Sequence, residues 1–488
     1  MIYSTAISSI LNKELLAHLL RDDEQEDLCF ALWHPSKGQE RVTALIQQLV
    51  LPKHGEHQIH GNASFLPSYF ERVIGLALEN NAGIAFLHSH LGPGWQGMSR
   101  DDITAEKRMA ATVQATTGLP LLGLTLATDE AWSARFWHKV APQTYERDWC
   151  STVRVVGESF RITYNDALVP KLNFREELSR TVSAWGEKEQ NQLMRLKVGI
   201  VGVGSVGSII AESLARMGIS HIKLIDFDSV ELLNLDRILL TRRQDAVLQS
   251  AKVQVLAREL KKSATAHPFV VDPLEYSISE EEGFRAALDC DVLFSCVDRP
   301  WARSILNFIA YSHLIPVIDG GIRAERKKSG EGLLRTDWRT HAIGPSRICL
   351  ECLGQYKSED VSTDREGYLD DSQYIIGLHE SHFIKHNENV FAFSLSVAAL
   401  EMQQFLALVL SLPGGLIRGP QTYHFVNDEV IYDDRTCNPN CPFPTLIALG
   451  DHAPITVTGK HKIAVEARLK RAQYQKSLRY WVTRITGR

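Results

Sequence analysis

Between positions 196 and 230 the chain reads LKVGIVGVGSVGSIIAESLARMGISHIKLIDFDSV. An apolar β-branched run meets a turn with glycines at 202, 204 and 207, then a segment of helical periodicity, then a second apolar run. A strand that leaves through a tight glycine turn into a helix and returns as a strand is the repeating unit of a doubly wound parallel sheet. "CDVLFSCVD" (290–298) and "IPVIDGG" (315–321) supply further buried strands. The predicted class is therefore α/β. Gly202, Gly204 and Gly207 let the backbone approach a phosphate at the N-terminus of the following helix. Asp226 falls 19 residues after Gly207, at the end of the next strand, where a carboxylate can hold a ribose. Taken alone the loop also fits an NAD-dependent oxidoreductase or a structural turn.

A chain of 488 residues has room for two to four domains. A net charge of −5 gives no reason to expect general nucleic-acid binding. Residues 455–488 are different, with nine Lys/Arg and one acid, Glu466, and read as a solvated helix or disordered tail, or a basic docking surface. The opening MIYSTAISSILNKELLAHLL reads as an amphipathic helix and not as a signal peptide. Apolar runs such as "FLALVLSL" (405–412) are too short to cross a bilayer. A cytoplasmic protein with no membrane partner is expected. In that reducing compartment eight cysteines do not imply disulfides. Cys29, Cys150, Cys290 and Cys296 read as buried apolar residues. Cys349 with Cys352, and Cys437 with Cys441, form two close pairs, the spacing of a four-thiolate structural zinc.

The first 145 residues alternate strand and helix patterns: "LCFALWH" and "RVTALIQQLVL" as strands around the turn "PSKGQE", then "LPSYFERVIGLALENN" as a helix and "GIAFLHSH" as a strand. The stretch FLHSHLGPGWQGMSRDD places His88 and His90 on one face of a strand end. The Gly/Pro-rich turn lets Asp102 return with an oxygen. Two nitrogens, one oxygen and an open fourth position make the ligand count of a catalytic zinc site.

His88-x-His90, a spacer and Ser99-x-x-Asp102 resemble the motif of the JAMM (JAB/MPN) metalloproteases, which remove ubiquitin-like proteins or process their tails. The spacer has eight residues where the family usually has seven, so Asp101 and Asp102 both remain candidate ligands. The resemblance, covering about residues 10–140, implies an oxyanion donor in Ser99. It also implies a general base in a glutamate before an early core strand, Glu26 in "EDLCFALW", with Glu40 as the alternative.

The segment DFDSVELLNLDR resembles that of the ThiF/MoeB-type ubiquitin-activating superfamily. Carried over, Asp226 holds the ribose of ATP, Asn234, Arg237 and Lys252 meet the phosphates, and Asp298 in "SCVDRPWAR" binds Mg2+. Arg180, in "LSRTVSAWGEKEQ", resembles the entrance-helix arginine that reaches into the partner subunit's site, which implies a homodimer. The superfamily also carries the two cysteine pairs as a structural zinc site, though with two residues rather than three inside the second. Ser205 and Leu233 depart from the common glycine and serine. Relatives often carry a thioester cysteine after the first pair; residues 353–436 contain none. His379, His382 and His386 in that segment read as exposed polar residues, with a second metal site as the alternative.

The expected organisation is a JAB/MPN-type α+β domain (1–150), a helical linker with entrance helix (151–195), a Rossmann-like ThiF/MoeB-type domain with a four-cysteine structural zinc (196–445) and a basic tail (446–488). The expected activity is bifunctional. A catalytic zinc centre processes or detaches a ubiquitin-like carrier, and an ATP-Mg centre adenylates its C-terminus for a conjugating enzyme or other acyl acceptor. Sulfur-carrier activation and release in cofactor or amino-acid biosynthesis is the alternative; an oxidoreductase and a non-catalytic scaffold are further readings.

Overall fold

The computed structural model describes residues 1–488 apart from 61, 328–331, 380–381, 383, 385–388, 411–418, 478–479, 482–483 and 485–488. The chain divides into two compact units. The first comprises Met1–Lys171, Tyr311–Leu314 and Pro442–Pro454; the second comprises Leu172–Ala310, Ile315–Cys441 and Ile455–Arg488.

In the first unit the strands are β1 (Ile2–Ser8), β2 (Leu28–Lys37), β3 (Arg41–Val50), β4 (His57–His60), β5 (Asn62–Phe65), β6 (Gly83–Ser89), β7 (Leu121–Leu126), β8 (Trp132–Ala141), β9 (Thr144–Trp149), β10 (Thr152–Val156) and β11 (Phe160–Tyr164). The helices are α1 (Ser9–Leu19), α2 (Pro67–Glu79) and α3 (Arg100–Thr117). Nine strands form one sheet in the order β11-β10-β1-β3-β2-β6-β7-β8-β9, and β4–β5 is a separate hairpin. The two faces carry different cores. Ile7, Leu15, Trp33, Leu87 and Trp132 lie on the α1 side. Phe30, Tyr69, Val73, Phe86, Met109 and Val113 lie on the α2/α3 side. Alternation along β6 puts Ile84 and Phe86 on the α2/α3 side, and His88 shares their parity.

The N-terminus corrects an expectation. Residues 2–8 form a strand, not the start of a helix, because IYSTAIS pairs in parallel with both β3 and β10. The helix begins only after Ser8, whose hydroxyl accepts from the Leu11 N–H at 3.3 Å. The turn expected at "PSKGQE" is likewise shorter, since β2 continues through Lys37.

The second unit opens with α4 (Ser179–Trp185) and α5 (Glu187–Met194). The helical linker expected over 151–195 begins instead with β10 and β11, which pair into the first unit's sheet, and its helical part is broken at Gly186, whose φ of 93° lies where a side chain is disfavoured. The strands are β12 (Lys197–Val201), β13 (His221–Ile225), β14 (Val270–Leu274), β15 (Val292–Ser295), β16 (Val317–Arg326), β17 (Leu333–Ile343), β18 (Gln421–His424) and β19 (Glu429–Tyr432). The helices are α6 (Ser205–Arg216), α7 (Arg243–Val247), α8 (Lys252–Ser263), α9 (Glu281–Ala287), α10 (Pro300–Ser312), α11 (Ser358–Arg365), α12 (Ser372–Gly377), α13 (Phe391–Val409) and α14 (Lys462–Gln475). The sheet order is β14-β13-β12-β15-β16-β17-β18-β19. The first five are parallel and the last three add antiparallel. Chain order reverses between β12 and β15, which creates the crevice where ligands of doubly wound sheets bind.

Two readings of this half change. Within the basic tail, Lys462–Gln475 form α14, a largely exposed helix that docks through Arg471, which is 3% exposed. The apolar run at 405–412 belongs partly to α13, a 19-residue helix long and apolar enough by length and composition to cross a membrane. In the unit it packs on α6, β16 and β17, with Phe393 and Val397 against Trp338. It also carries Glu401, fully buried under Gly320, with neither oxygen hydrogen-bonded among the described residues. Burial, then nearby Asp319, pushes this carboxyl well above its ordinary value. The folded chain keeps a proton here that the unfolded chain releases above its ordinary pKa of 4.5, so this group contributes full stability below that pH and loses it as pH rises. Glu401→Gln is expected to raise the unfolding temperature by ~3 °C at pH 8 and by less than ~1 °C at pH 5, read by calorimetry.

Candidate functional site

In the first unit the last residues of β6 carry the histidines. His88 pairs in register with Leu28 and Thr125, and the His90 N–H donates to the Leu126 carbonyl at 2.8 Å, just past the strand end. Asp102 arrives from the first turn of α3. Ser99 is the N-cap there: its hydroxyl accepts from the Asp102 N–H at 3.1 Å, and Asp102 Oδ2 accepts from the Ser99 N–H at 2.7 Å. The Ser99-x-x-Asp102 spacing is thus a capping box that fixes the carboxylate in place. In this structure Ser99 acts as the helix cap.

The three side chains form a small triangle. His88 Nε2 lies 3.2 Å from His90 Nε2. Asp102 lies 3.6 Å from the first and 3.3 Å from the second. Ligands about 2.0–2.1 Å from a tetrahedral zinc are separated by about 3.3–3.4 Å, so the triangle is the size of an ion's ligand shell. Asp101 is exposed and lies outside it. Burial, reinforced by Arg135, lowers His88 to about 3, which keeps its imidazole neutral. Burial opposes ionisation of Asp102, but the His90 and Ser99 hydrogen bonds outweigh it and hold the carboxyl well below its usual range. Arg135 acts through a buried chain. It pairs with Glu106 and donates to Thr125 Oγ1 at 2.5 Å, and that oxygen is 3.4 Å from His88 Nε2. Burial raises the pKa of Glu26, which interacts with His90 and Asp102. Glu40 is exposed in the β2–β3 turn.

In the second unit Cys349, Cys352, Cys437 and Cys441 converge, each offering a sulfur within 4.8 Å of the others. Cys349 Sγ and Cys441 Sγ are 3.6 Å apart, near the ~3.8 Å edge of a tetrahedron with zinc–sulfur bonds of about 2.3 Å. Backbone N–H groups of Cys349, Cys352 and Asn438 donate to the sulfurs of Cys437, Cys349 and Cys352 at 3.2–3.3 Å. N–H donors onto sulfur favour thiolates. The hydrogen bond with Cys349 draws Cys437 down to about 5, while the Cys349 proton is held correspondingly tightly. The donor set fits zinc. Of the other cysteines, Cys29, Cys150 and Cys290 are buried as expected and Cys296 is half-buried. His386 lies outside the described residues.

At the glycine loop the three glycines have separate physical tasks. Gly202 has φ of 86°, and a Cβ there would stand 2.4 Å from the Cys296 carbonyl. A Cβ on Gly207 would stand 2.0 Å from the Gly202 carbonyl, so α6 packs onto the turn only because position 207 is bare. Gly204 has open space where a Cβ would point. It caps α6 without a side-chain acceptor, so no capping side chain occupies the first N–H groups of the helix. Asp226 accepts from the N–H groups of Val203 and Asp228, each at 2.8 Å. Burial pushes its carboxyl upward, with Asp228, against the pull of Lys252. Lys252 opens α8 and donates to Asp228 at 2.7 Å. Burial works against its charge, but Asp226, Asp228 and Asp298 outweigh it and hold the ammonium. One buried cation among three carboxylates beside an open helix N-terminus is a layout that fits a triphosphate with its metal ion.

The remaining assigned residues do not join this group. Asn234 Oδ1 accepts from the Glu231 N–H at 3.0 Å, a local cap. Arg237 donates to the Leu233 carbonyl and to Asp236. Arg180 is exposed on α4. Sequence reasoning missed Asp228, although it stands in the same D-x-D pair as Asp226. It also missed Asn389, whose amide donates to Ser205 Oγ at 2.8 Å from a position no local motif signals.

Residues 178–403 match the ThiF family. The chain is 31% identical over 155 residues to ubiquitin-like modifier-activating enzyme 5 of Drosophila mojavensis, covering 29% of this chain and 37% of that one. It is 33% identical over 132 residues to the enzyme of that name from Gallus gallus, covering 25% and 32%. The chain thus spans about a third of the length of these relatives. Among solved structures, E. coli MccB with ATP aligns at a TM-score of 0.42 and 19% identity, over 55% of this chain and 74% of that one. The family match places a ThiF family domain in the second unit, and the unit's own strand order is Rossmann-like α/β.

Elemental analysis of the purified chain is expected to find two zinc ions per molecule. Asp102→Ala is expected to lose one with little change in unfolding temperature. Cys437→Ser is expected to lose the other and to lower the unfolding temperature by more than ~5 °C, since structural zinc contributes directly to folding.

Proposed function

We propose that the chain activates the C-terminal carboxylate of a ubiquitin-like carrier by adenylation and, at a second centre, hydrolyses bonds formed at or beyond that same terminus. The observation that carries the activation half is Lys252 held among Asp226, Asp228 and Asp298 at the open glycine loop of a ThiF family domain. In this reading a carboxylate oxygen of the carrier attacks the α-phosphorus of ATP and pyrophosphate leaves. Asp226 holds the ribose, the bare N-terminus of α6 and Lys252 neutralise phosphate oxygens, and Asp298 is the acid available to Mg2+. Magnesium, held there by Asp298, would supply positive charge that offsets the charge on the phosphates. Asn234 and Arg237 would have to leave their local partners to reach the phosphates. Arg180 would act from a second copy in a homodimer.

For the other half, the JAMM-like motif and the size of the His88–His90–Asp102 triangle support a zinc isopeptidase or tail-processing centre. Zinc, when bound, supplies a water of lowered pKa and polarises the scissile carbonyl. Glu26, less acidic than usual and facing His90, is suited to take a proton from that water. By the same resemblance, the Ser99 hydroxyl, which accepts the Asp102 N–H, would donate its proton to the developing oxyanion.

Cys296, on the carboxyl side of β15, is an unsuitable acyl acceptor, because burial raises its thiol well above the ordinary value. The acyl group would pass directly to a conjugating enzyme or other external acceptor in the cytoplasm. Sulfur-carrier activation uses the same first step, and the identity of that acceptor separates the two readings.

With a ubiquitin-like protein ending in Gly-Gly as substrate, Lys252→Ala is expected to cut ATP-dependent pyrophosphate release by at least ~100-fold. His90→Ala should leave that rate within about twofold and abolish cleavage of a tail-extended substrate. Pyrophosphate release that survives Lys252→Ala would contradict the assignment.

A further inference from the structure

The C-terminal segment 457–474 crosses the carboxyl edge of the parallel sheet, and its contacts fall on the residues that follow the strand ends. Strands β13, β14 and β15 finish at Ile225, Leu274 and Ser295. Beyond β13, Arg471 donates to the Phe227 carbonyl at 2.6 Å and to Ser229 Oγ at 3.0 Å. Beyond β14, Arg471 pairs with Glu275, Arg468 donates to Glu280 at 2.7 Å, and the Gly459 N–H donates to the Ser279 carbonyl at 2.8 Å. Beyond β15, Trp301 Nε1 donates to the Val457 carbonyl at 2.9 Å. A Cβ on Gly459 would press to 3.3 Å from the same indole. Arg468 and Arg471, which the sequence assigns to solvent, are here engaged with backbone carbonyls and carboxylates.

Near the start of the segment sits His461. Its ring meets Phe227 edge-on at 5.0 Å and Trp301 edge-on at 5.8 Å. Phe227 is the residue between Asp226 and Asp228. The Nδ1 atom of His461 is buried and has no hydrogen-bond partner among the described residues. Leaving a buried ring nitrogen without a partner is costly, so a group that satisfies it gains affinity.

The direction of a bound nucleotide follows from its anchors. Phosphates belong at the N-terminus of α6 and the ribose at Asp226, so the base extends from Asp226 toward the β13–β14 edge. That is the edge the segment covers. We propose that residues 457–474 are a strap that forms the outer wall of the nucleotide site, and that His461 is its base-contacting residue, with Nδ1 meeting a polar atom of the adenine edge. This rests on the reading of the second unit as an ATP site. Because the strap and the nucleotide share a wall, each favours the other: nucleotide stabilises the docked strap by RT ln(1 + [L]/Kd), and loosening the strap weakens nucleotide binding by the same free energy.

The test uses the full chain and ATP-Mg or GTP-Mg as probes, with affinity read by calorimetry and strap docking read by thermolysin cleavage within 457–474 followed by mass analysis. Wild type is expected to bind ATP-Mg, to prefer it over GTP-Mg and to be cleaved at least fivefold more slowly when it is present. His461→Ala is expected to raise the ATP Kd about tenfold and erase the ATP-over-GTP preference, a change that a purely structural role would not produce. Arg471→Met is expected to weaken ATP and GTP alike and speed cleavage; if it fails to fold, His461→Ala decides alone. If wild type binds ATP-Mg while His461→Ala keeps both its Kd and its base preference, or if ATP leaves cleavage of the wild type unchanged, the strap proposal is wrong and the nucleotide site stands. If folded wild type binds neither nucleotide, the reading of the site fails as well.

Discussion

The contact that organises the second unit is between two backbones. Position 207 must be bare because the Gly202 carbonyl stands 2.0 Å from where a Cβ would be, and position 202 must be bare because the Cys296 carbonyl stands at 2.4 Å. These two approaches bring the end of β12, the first turn of α6 and the end of β15 to one point. No side chain intrudes at Gly204 between them, and no capping side chain occupies the first N–H groups of the helix. Asp226 extends the arrangement, since its carboxylate holds the Val203 N–H of the same turn. Charge follows from packing: three carboxylates gathered at two strand ends, Asp226 and Asp228 after β13 and Asp298 after β15, make a buried ammonium at 252 favourable, and that ammonium makes the site receptive to phosphate.

The first unit reaches a different chemistry through the same device. A strand ends, a turn follows, and the first turn of a helix returns to the strand end. Here the returning group is a carboxylate instead of bare N–H groups, and the Ser99 capping box points it. The histidines come from β6, which both neighbouring strands hold in register. Beneath them the Glu106–Arg135–Thr125 chain supplies a rigid floor. In both units, reactive groups sit where the sheet's ladder of hydrogen bonds stops and short local bonds take over.

Local patterns were the legible part of the sequence. The glycine turn, the His-x-His parity, the paired cysteines and the order of strands around 196–230 all depend on residues within a few positions of each other. What was illegible required long-range partners. IYSTAIS reads as a helix start until β3 and β10 flank it. A stretch with nine cations reads as solvated until Glu275, Glu280 and the Phe227 carbonyl are near it. Asn234 and Arg237 were assigned by position in a motif, and the structure shows them engaged in local caps. Asp228 was visible in the D-x-D pair but acquires a role only when α8 places Lys252 against it. Asn389 is 184 residues from its partner Ser205 and no spacing rule reaches it.

The two centres of this chain are proposed to act on the same carrier terminus, one after the other. Intact-mass analysis of a ubiquitin-like protein with an extension beyond Gly-Gly, incubated with the full chain and ATP-Mg, tests it most directly. The account predicts that the extension is lost before AMP is added, and that a chain with an alanine at position 90 adenylates only the pre-trimmed protein. AMP appearing on the still-extended protein, or no AMP on the trimmed one with any carrier that binds, would contradict it.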